Sequence, residues 1–528
     1  MQKELPMARP SSIERRSFLA GTAALGGGLV AGPGGLRAQG APRRGGTLRM
    51  SVDQAAAKLN PLLTRVNPEY LVAELLYSGL TRLGTDMTPV PDLALSWEPS
   101  TDLTTWTFKL RPNLVFHDGT PCTAADVVAS FQAMLDPKTA SPARQNIGPI
   151  DTVSASDEGT VVFKLKGAFA DMPVTVAYTN ARIVPKAVIE KGMQRLDREA
   201  VGTGPFKLVS YEPERLIVVQ RNEKYYDPQR PYLDRVEIVV YPDPTAEGSA
   251  LMSGQTDLTL NTLPTEYARV SKADGVVGMR RPSGQFCNLN FGCDAKPFND
   301  ARIRQALALC VDREAMVGFV TEGFGTPGND TPLNSAYTYF AEQPLKKPNI
   351  AQAKKLLAEA GHANGFEATI IASDRPAVRT QLAIALREMA KPAGFDLKVE
   401  TMPHATYLDQ VWRKGNFYIG FYNMQATADA IFSLLYTSNA AWNETRWNNA
   451  AFDKLINEAR TTIDANRRRA LYGEAQAMMN RDVPSLIPVF FDLLAARRKY
   501  VQGYELHPRG AVFRLDYAWL GEGAPRRG

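Results

Sequence analysis

The chain has 528 residues, 44% hydrophobic and 22% charged, with a formal net charge of +6. That length is too great for a single core, and that balance excludes disordered and fibrous chains. Residues 1–38 hold five basic side chains (Lys3, Arg9, Arg15, Arg16, Arg37) against Glu4 and Glu14, so +3 sits there and +3 is left for the other 490 residues, too thin a surplus for a nucleic-acid surface.

Glu14-Arg15-Arg16-Ser17-Phe18-Leu19-Ala20 precedes a glycine-rich apolar run ending at Val30 and reads as a twin-arginine-like export signal, with cleavage expected after Ala38. Glu14 stands where that motif usually has Ser or Thr, which leaves the Sec route open. No later stretch approaches the ~18–20 apolar residues a membrane helix needs. No cysteine adjoins the cleavage point to take a lipid. A periplasmic protein of a Gram-negative cell, without a membrane anchor, is the expectation.

Gly45–Val52 opens the mature fold as a strand, and a helix is expected around Tyr70–Leu80. Trp106, Phe108 and Leu110 alternate with Thr105, Thr107 and Lys109, the pattern of a half-buried strand. Asp118-Gly119 with Pro121 marks a turn, and Thr123 with Asp126 forms a capping box for the helix that follows. Strands are expected at Thr160–Leu165, Leu216–Arg221 and Arg235–Tyr241. From about Phe286, helices (Asp300–Cys310, Ile350–Ala360, Val378–Ala390, Phe452–Ile463, Arg467–Asn480) alternate with strands (Glu367–Ala372, Asp396–Thr401, Phe417–Phe421). Asn349 caps one helix start and Gly361 sits just past its end. Such alternation predicts α/β lobes with mixed sheets. Cys287 and Cys293, six residues apart in extended chain, lie about 20 Å apart, too far to bridge unless a turn intervenes; structural, mostly reduced cysteines are expected.

The familiar catalytic and phosphate-binding strings are absent from the chain. His117, His362, His404 and His507 show no ligand spacing, so neither a metal nor a cofactor is expected, and His117 reads as a structural hydrogen-bonding residue. A carboxylate pair facing across a cleft, as in glycoside hydrolysis, stays open as the enzymatic alternative.

The string from Phe108 to Val128, with Phe116-His117-Asp118-Gly119-Thr120-Pro121 at its centre, resembles the signature of the family 5 extracellular solute-binding proteins, the dipeptide, oligopeptide and nickel receptors of ABC importers. Thr203-Gly204-Pro205-Phe206, Arg230–Asp234, Ser253–Asp257, Pro297–Leu307 and Lys355–Gly361 resemble further family segments in family order. The resemblance implies a type II (cluster C) periplasmic-binding-protein fold, with two hinged lobes, an inserted domain and mixed sheets. It implies domain I at 39–85, 200–283 and 488–528, domain II at 86–199 and domain III at 284–487. A peptide or peptide-like solute would lie between lobes I and III, and a membrane ABC permease would receive it from a monomeric receptor. Other solutes (an opine, a sugar, a metal complex) are the alternative, and a sensory or chaperone role is a further one.

In the family, an acidic residue of domain III holds the free amine of a peptide. Met424 occupies that place in the segment Gly420–Phe432; Thr427 and Ala428 replace a second acid and a proline, and Asp429 follows them. A buried ammonium without a carboxylate is strongly disfavoured. The ligand therefore lacks that amine or Asp429 is redirected into the cleft. Phe286, Tyr418, Tyr422 and Trp442 are candidate cleft aromatics, Asn288 and Asn290 candidate donors, Gln425 a further candidate beside Met424, and Arg413 and Arg446 candidate carboxylate anchors.

Overall fold

The computed structural model describes residues 41–527; the expected export signal lies outside the described residues. An 11-stranded mixed sheet forms the frame, in the order Phe395–Met402, Phe366–Ser373, Phe417–Tyr422, Val276–Phe291, Ser485–Arg498, Leu258–Thr259, Thr47–Val52, Arg235–Val240, Leu216–Arg221, Phe206–Glu212, with Gly325–Pro327 added against Ser485–Arg498. Two long antiparallel strands, Val276–Phe291 and Ser485–Arg498, run through its middle, from Val276 opposite Arg498 to Asn290 opposite Ser485. Their ladder is irregular between Pro282 and Gln285, where proline has no N–H to donate. Ser283 mends the gap: its hydroxyl donates to the Phe491 carbonyl at 2.9 Å and accepts from the Gln285 N–H at 3.1 Å.

Each end of these strands enters a different core. Leu48, Met50, Val236 and Ile238 pack in one cluster, whereas Cys287, Leu289, Phe291, Ile370 and Ile419 belong to another. The expected boundary between residues 283 and 284 thus falls inside one continuous strand, beside its irregular step.

A smaller antiparallel sheet, ordered Ala94–Pro99, Thr105–Leu110, Thr160–Leu165, Ile150–Asp157, carries the helix Ala124–Leu135. Trp106, Phe108 and Leu110 face the core as their alternation requires. The helix starts on the capping box: the Thr123 N–H donates to Asp126 Oδ2 at 2.8 Å. His117 donates from Nε2 to the Gly204 carbonyl at 3.1 Å and accepts from the Gly202 N–H at 3.4 Å, tying the turn to the Gly202–Gly204 segment. Burial holds its pKa down at about 4, so it is a neutral structural group.

The first helix, Asn67–Leu76, begins earlier than expected because Pro68 takes an early position, suited to a helix start, and it ends earlier, where Tyr77 turns to extended backbone. All four cysteines are free, and no helix among the described residues is long and apolar enough to cross a membrane.

Candidate functional site

Two crevices separate the parts of the structure joined by the long strands. The larger, of about 570 Å³, is walled on one side by Gln54, Asn67, Tyr70, Tyr178 and Asn261, and on the other by Gln285, Asn423, Met424 and Gln425. Asp492, Leu493 and Leu494 of the crossing strand, with Arg509, complete its lining. That volume lies within the range of small-molecule sites, roughly 300–1,000 Å³.

The walls are held from behind. The Arg65 N–H donates to Glu69 Oε2 at 2.6 Å, and Asn180 Nδ2 donates to the Pro61 and Thr64 carbonyls at 3.1 and 2.9 Å. These bonds fix the loop leading to Asn67. Across the crevice, Gln285 Nε2 donates to Asn423 Oδ1 at 2.6 Å, and the Gln425 N–H donates to the Tyr337 hydroxyl at 3.0 Å.

Arg509 is placed by a turn. His507-Pro508-Arg509-Gly510 closes with the Gly510 N–H on the His507 carbonyl at 2.9 Å; proline presets the turn, and Gly510 takes the left-handed backbone at φ 76°. His507 donates from Nε2 to the Gly84 carbonyl at 2.8 Å and accepts from the Arg509 N–H at 3.3 Å through Nδ1. Burial pushes its pKa down to about 3, so it holds this geometry as a neutral ring. Glu74 then accepts from the N–H groups of Phe513 and Arg514, pinning the rest of the loop to the helix Asn67–Leu76.

The Arg509 guanidinium lies over the Tyr178 ring, 5.1 Å from its centroid. Its Nε and Nη1 are out of reach of solvent and find no hydrogen-bond partner among the described residues. Burial lowers its pKa; the phenols of Tyr178, Tyr70 and Tyr337 pull weakly the other way. Burial in turn pushes the Tyr70 phenol up to about 12.

The second crevice, of about 320 Å³, is mostly apolar, with Met87, Trp97, Trp106, Val174 and Tyr339 among its walls. Asp171 and Arg468 pair across it at 2.6 Å, and each side chain is only 5% exposed. The Ala170 N–H donates to the Arg460 carbonyl at 2.9 Å and Thr338 to the Asp86 carbonyl at 3.3 Å. The two lobes are in contact here.

The residues singled out from sequence disperse on this frame. Met424 and Gln425 line the larger crevice. Met424 is 3% exposed, and its sulfur accepts from the Gly284 N–H at 3.3 Å; a Cβ on residue 284 would collide with Met424 and Tyr337, which explains the glycine. Thr427 borders the smaller crevice and caps the helix Ala428–Leu435 by accepting from the Ala430 N–H at 3.0 Å.

The others lie elsewhere. Asp429 is not redirected into the larger crevice: it pairs with Arg460 at 3.0 Å and accepts from Ser433 at 3.2 Å. Burial raises its pKa and Arg460 opposes the rise. Phe286 packs in the core against Tyr422 and Phe490. Asn288 donates to Asn290 and Ser485 at 2.7 and 2.9 Å, and Asn290 donates to Glu444, so both amides serve a buried network. The Tyr418 hydroxyl, fully buried, accepts from the Arg413 N–H at 3.0 Å. Trp442 is exposed beside Trp412 and Tyr422. Arg413 lies against Trp412, and Arg446 pairs with Asp294 at 2.7 Å.

Sequence reasoning missed Arg509 and its phenol frame. The His-Pro-Arg-Gly turn string was the available signal, an arginine set just before a positive-φ glycine.

Two lobes, a pair of crossing strands and a polar crevice between the lobes define a type II periplasmic binding protein fold. Residues 88–444 match the profile "Bacterial extracellular solute-binding proteins, family 5 Middle". The probable deoxycholate-binding periplasmic protein YgiS of Escherichia coli is 30% identical over 489 residues, 86% of this chain and 90% of that one. The periplasmic oligopeptide-binding protein OppA of Salmonella typhimurium is 29% identical, over 83% of this chain and 86% of that one. The solved structure of the A. tumefaciens binding protein AgaA with agropinic acid is 26% identical, with a TM-score of 0.72, covering 90% of this chain and 99% of that one. The chain belongs to family 5 of the bacterial extracellular solute-binding proteins. It is accordingly a substrate-binding protein of an ABC importer, and its relatives are binding proteins rather than enzymes.

Proposed function

We propose that the protein is exported to the periplasm, where as a monomer it captures a small polar organic solute in the 570 Å³ crevice and presents it, chemically unchanged, to the permease. The observation that carries this is the crevice's position: its lining draws on segments from both sides of the long strands and on those strands themselves. Binding there stabilises the form in which the lobes touch, which is a population shift about a hinge. The irregular step at Pro282–Gln285 is our choice for the hinge. The division into domain I (39–85, 200–283, 488–528), domain II (86–199) and domain III (284–487) follows from that choice.

Amides on both walls suit peptide-like ligands, the first class to test, and equally suit polyols and opines. Met424 and Gln425 are proposed as ligand contacts; the remaining sequence candidates serve the frame.

The test is mass spectrometry of whatever co-purifies with the protein from its own periplasm, followed by addition of that compound to emptied protein. A receptor gains thermal stability as RT ln(1 + [L]/Kd), contracts in solution scattering, and releases the compound intact. Recovery of a chemically altered compound, or no contraction with any small molecule, overturns the proposal.

A further inference from the structure

Resting on the receptor reading above, we infer that the large crevice selects solutes carrying a carboxylate, that Arg509 is its anchor, and that the rest of the ligand is a hydroxyl- or amide-bearing body with no free ammonium group at Met424. The argument begins with charge. The lining contains two carboxylates, Asp53 and Asp492, and two guanidinium groups, Arg65 and Arg509. Asp492 is engaged by Arg280, which donates to its Oδ2 from the adjoining strand, and the Asp492 side chain is 1% exposed. Asp53, Arg65 and Arg509 remain, so the crevice as built carries one surplus positive charge and fits a monoanion.

Neither guanidinium has an ion-pair partner among the described residues, but Arg65 is exposed to water whereas Arg509 is desolvated. A desolvated guanidinium that lines the crevice, lies over the Tyr178 ring and has no carboxylate beside it is a costly arrangement for a residue that serves the fold alone. It is a charge that a ligand carboxylate would offset, since no acid among the described residues pairs with it. His507 and the Pro508–Gly510 turn hold the backbone in place for it.

The remaining polar groups set the body of the ligand. Gln54, Asn67, Asn261, Gln285, Asn423 and Gln425 offer neutral donors and acceptors on both walls, suited to hydroxyls or amides and unable to neutralise an ammonium. Met424 offers only a thioether where the family places an acid.

Four probes decide the matter by thermal shift and calorimetry at about 10 mM, where even a weak class-level ligand raises the unfolding temperature. These are gluconate, N-acetyl-Ala-Ala, its neutral methyl ester, and the zwitterion Ala-Ala. Stabilisation by one or both anions, with little or none from the ester and Ala-Ala, is expected; which anion acts distinguishes a sugar acid from an amine-blocked peptide. Arg509→Gln weakens the active anion by about 30-fold or more, and Arg509→Lys, which keeps the charge but loses the fork, restores part of it. Equal shifts from the ester or Ala-Ala, unchanged anion affinity in Arg509→Gln, or no shift from either anion overturns the inference. A neutral solute that still draws the lobes together would leave the receptor reading standing.

Discussion

Two arginines occupy the two crevices, and they are held in opposite ways. Arg468 is desolvated, but Asp171 lies 2.6 Å away and Arg468 stacks over Tyr339 at 4.6 Å. Burial pulls its pKa down, Asp171 with the phenols of Tyr472 and Tyr339 outweighs it, and the group ends above its ordinary value. Arg509 has phenols and no acid, and ends below its ordinary value. The first is a charge whose partner belongs to the other lobe. The second is a charge with no acid among the described residues beside it, the place proposed above for a ligand carboxylate. On the proposed function the small crevice serves closure and the large one recognition, and mutations should separate the two roles.

The largest effect expected is at the paired arginine. Asp171→Ala leaves Arg468 buried without its acid whenever the lobes meet, at a cost of about 3–5 kcal/mol. In the open form Arg468 regains water, so the cost falls on closure. Every solute should bind more than ~100-fold more weakly whatever its charge, and scattering should show a more open protein at a given ligand concentration. A loss confined to anions would mean that the two crevices do not divide the work in this way.

Glu444 sharpens the comparison from the acidic side. It is 3% exposed and accepts from Asn290 and, at 2.7 Å, from Trp412 Nε1. Burial raises its pKa from 4.5 to about 7, opposed first by its hydrogen bonds and then by Arg379 and Arg413. Because the folded value lies above the unfolded one, the folded protein binds the extra proton between pH 4.5 and 7, and this group's contribution to stability is lost as pH rises through that window. The shift of 7 − 4.5 = 2.5 units corresponds to about 3 kcal/mol. Glu444→Gln should remove that share of the slope, giving a variant that gains on the parent as pH rises in denaturant titrations. Parallel curves would show that Glu444 stays ionised throughout.

Most of the frame was legible in the sequence, for local reasons. The alternation Trp106–Phe108–Leu110, the Thr123–Asp126 capping box and the Asn349 cap are each decided within a few residues, and the structure shows all three. The crevice was not legible in that way. Asn288 and Asn290 alternate on a strand as cleft donors would, yet that strand is covered on both faces, and both amides face Ser485 and Glu444, which arrive from distant segments. Met424 marked a wall of the crevice because the substitution of an acid is visible in one line of sequence. Arg509 escaped notice because its meaning lies in what is missing around it, and only the fold brings Tyr70, Tyr178 and Tyr337 to it while bringing no carboxylate.

A smaller effect tests the other half of the opening contrast. If Arg509 is held for a ligand at some cost to the empty protein, Arg509→Gln should raise the stability of the ligand-free form, by about 1 kcal/mol. Asp171→Ala should not. The midpoint of urea unfolding without added solute reads this directly, and a lowered midpoint would make Arg509 a structural residue.

The smallest expected change is at Trp442, a cleft candidate by sequence that the fold places outside both crevices. It is 37% exposed and meets Trp412 edge-on at 5.5 Å and Tyr422 at 6.3 Å. Trp442→Ala forfeits those ring contacts, worth about 0.5–1.5 kcal/mol, and Trp412 still donates to Glu444. Ligand affinity should change less than about twofold, since neither crevice loses a wall. A large loss of affinity with stability unchanged would place a ligand against Trp442, and neither Arg468 nor Arg509 would then mark where the solute sits.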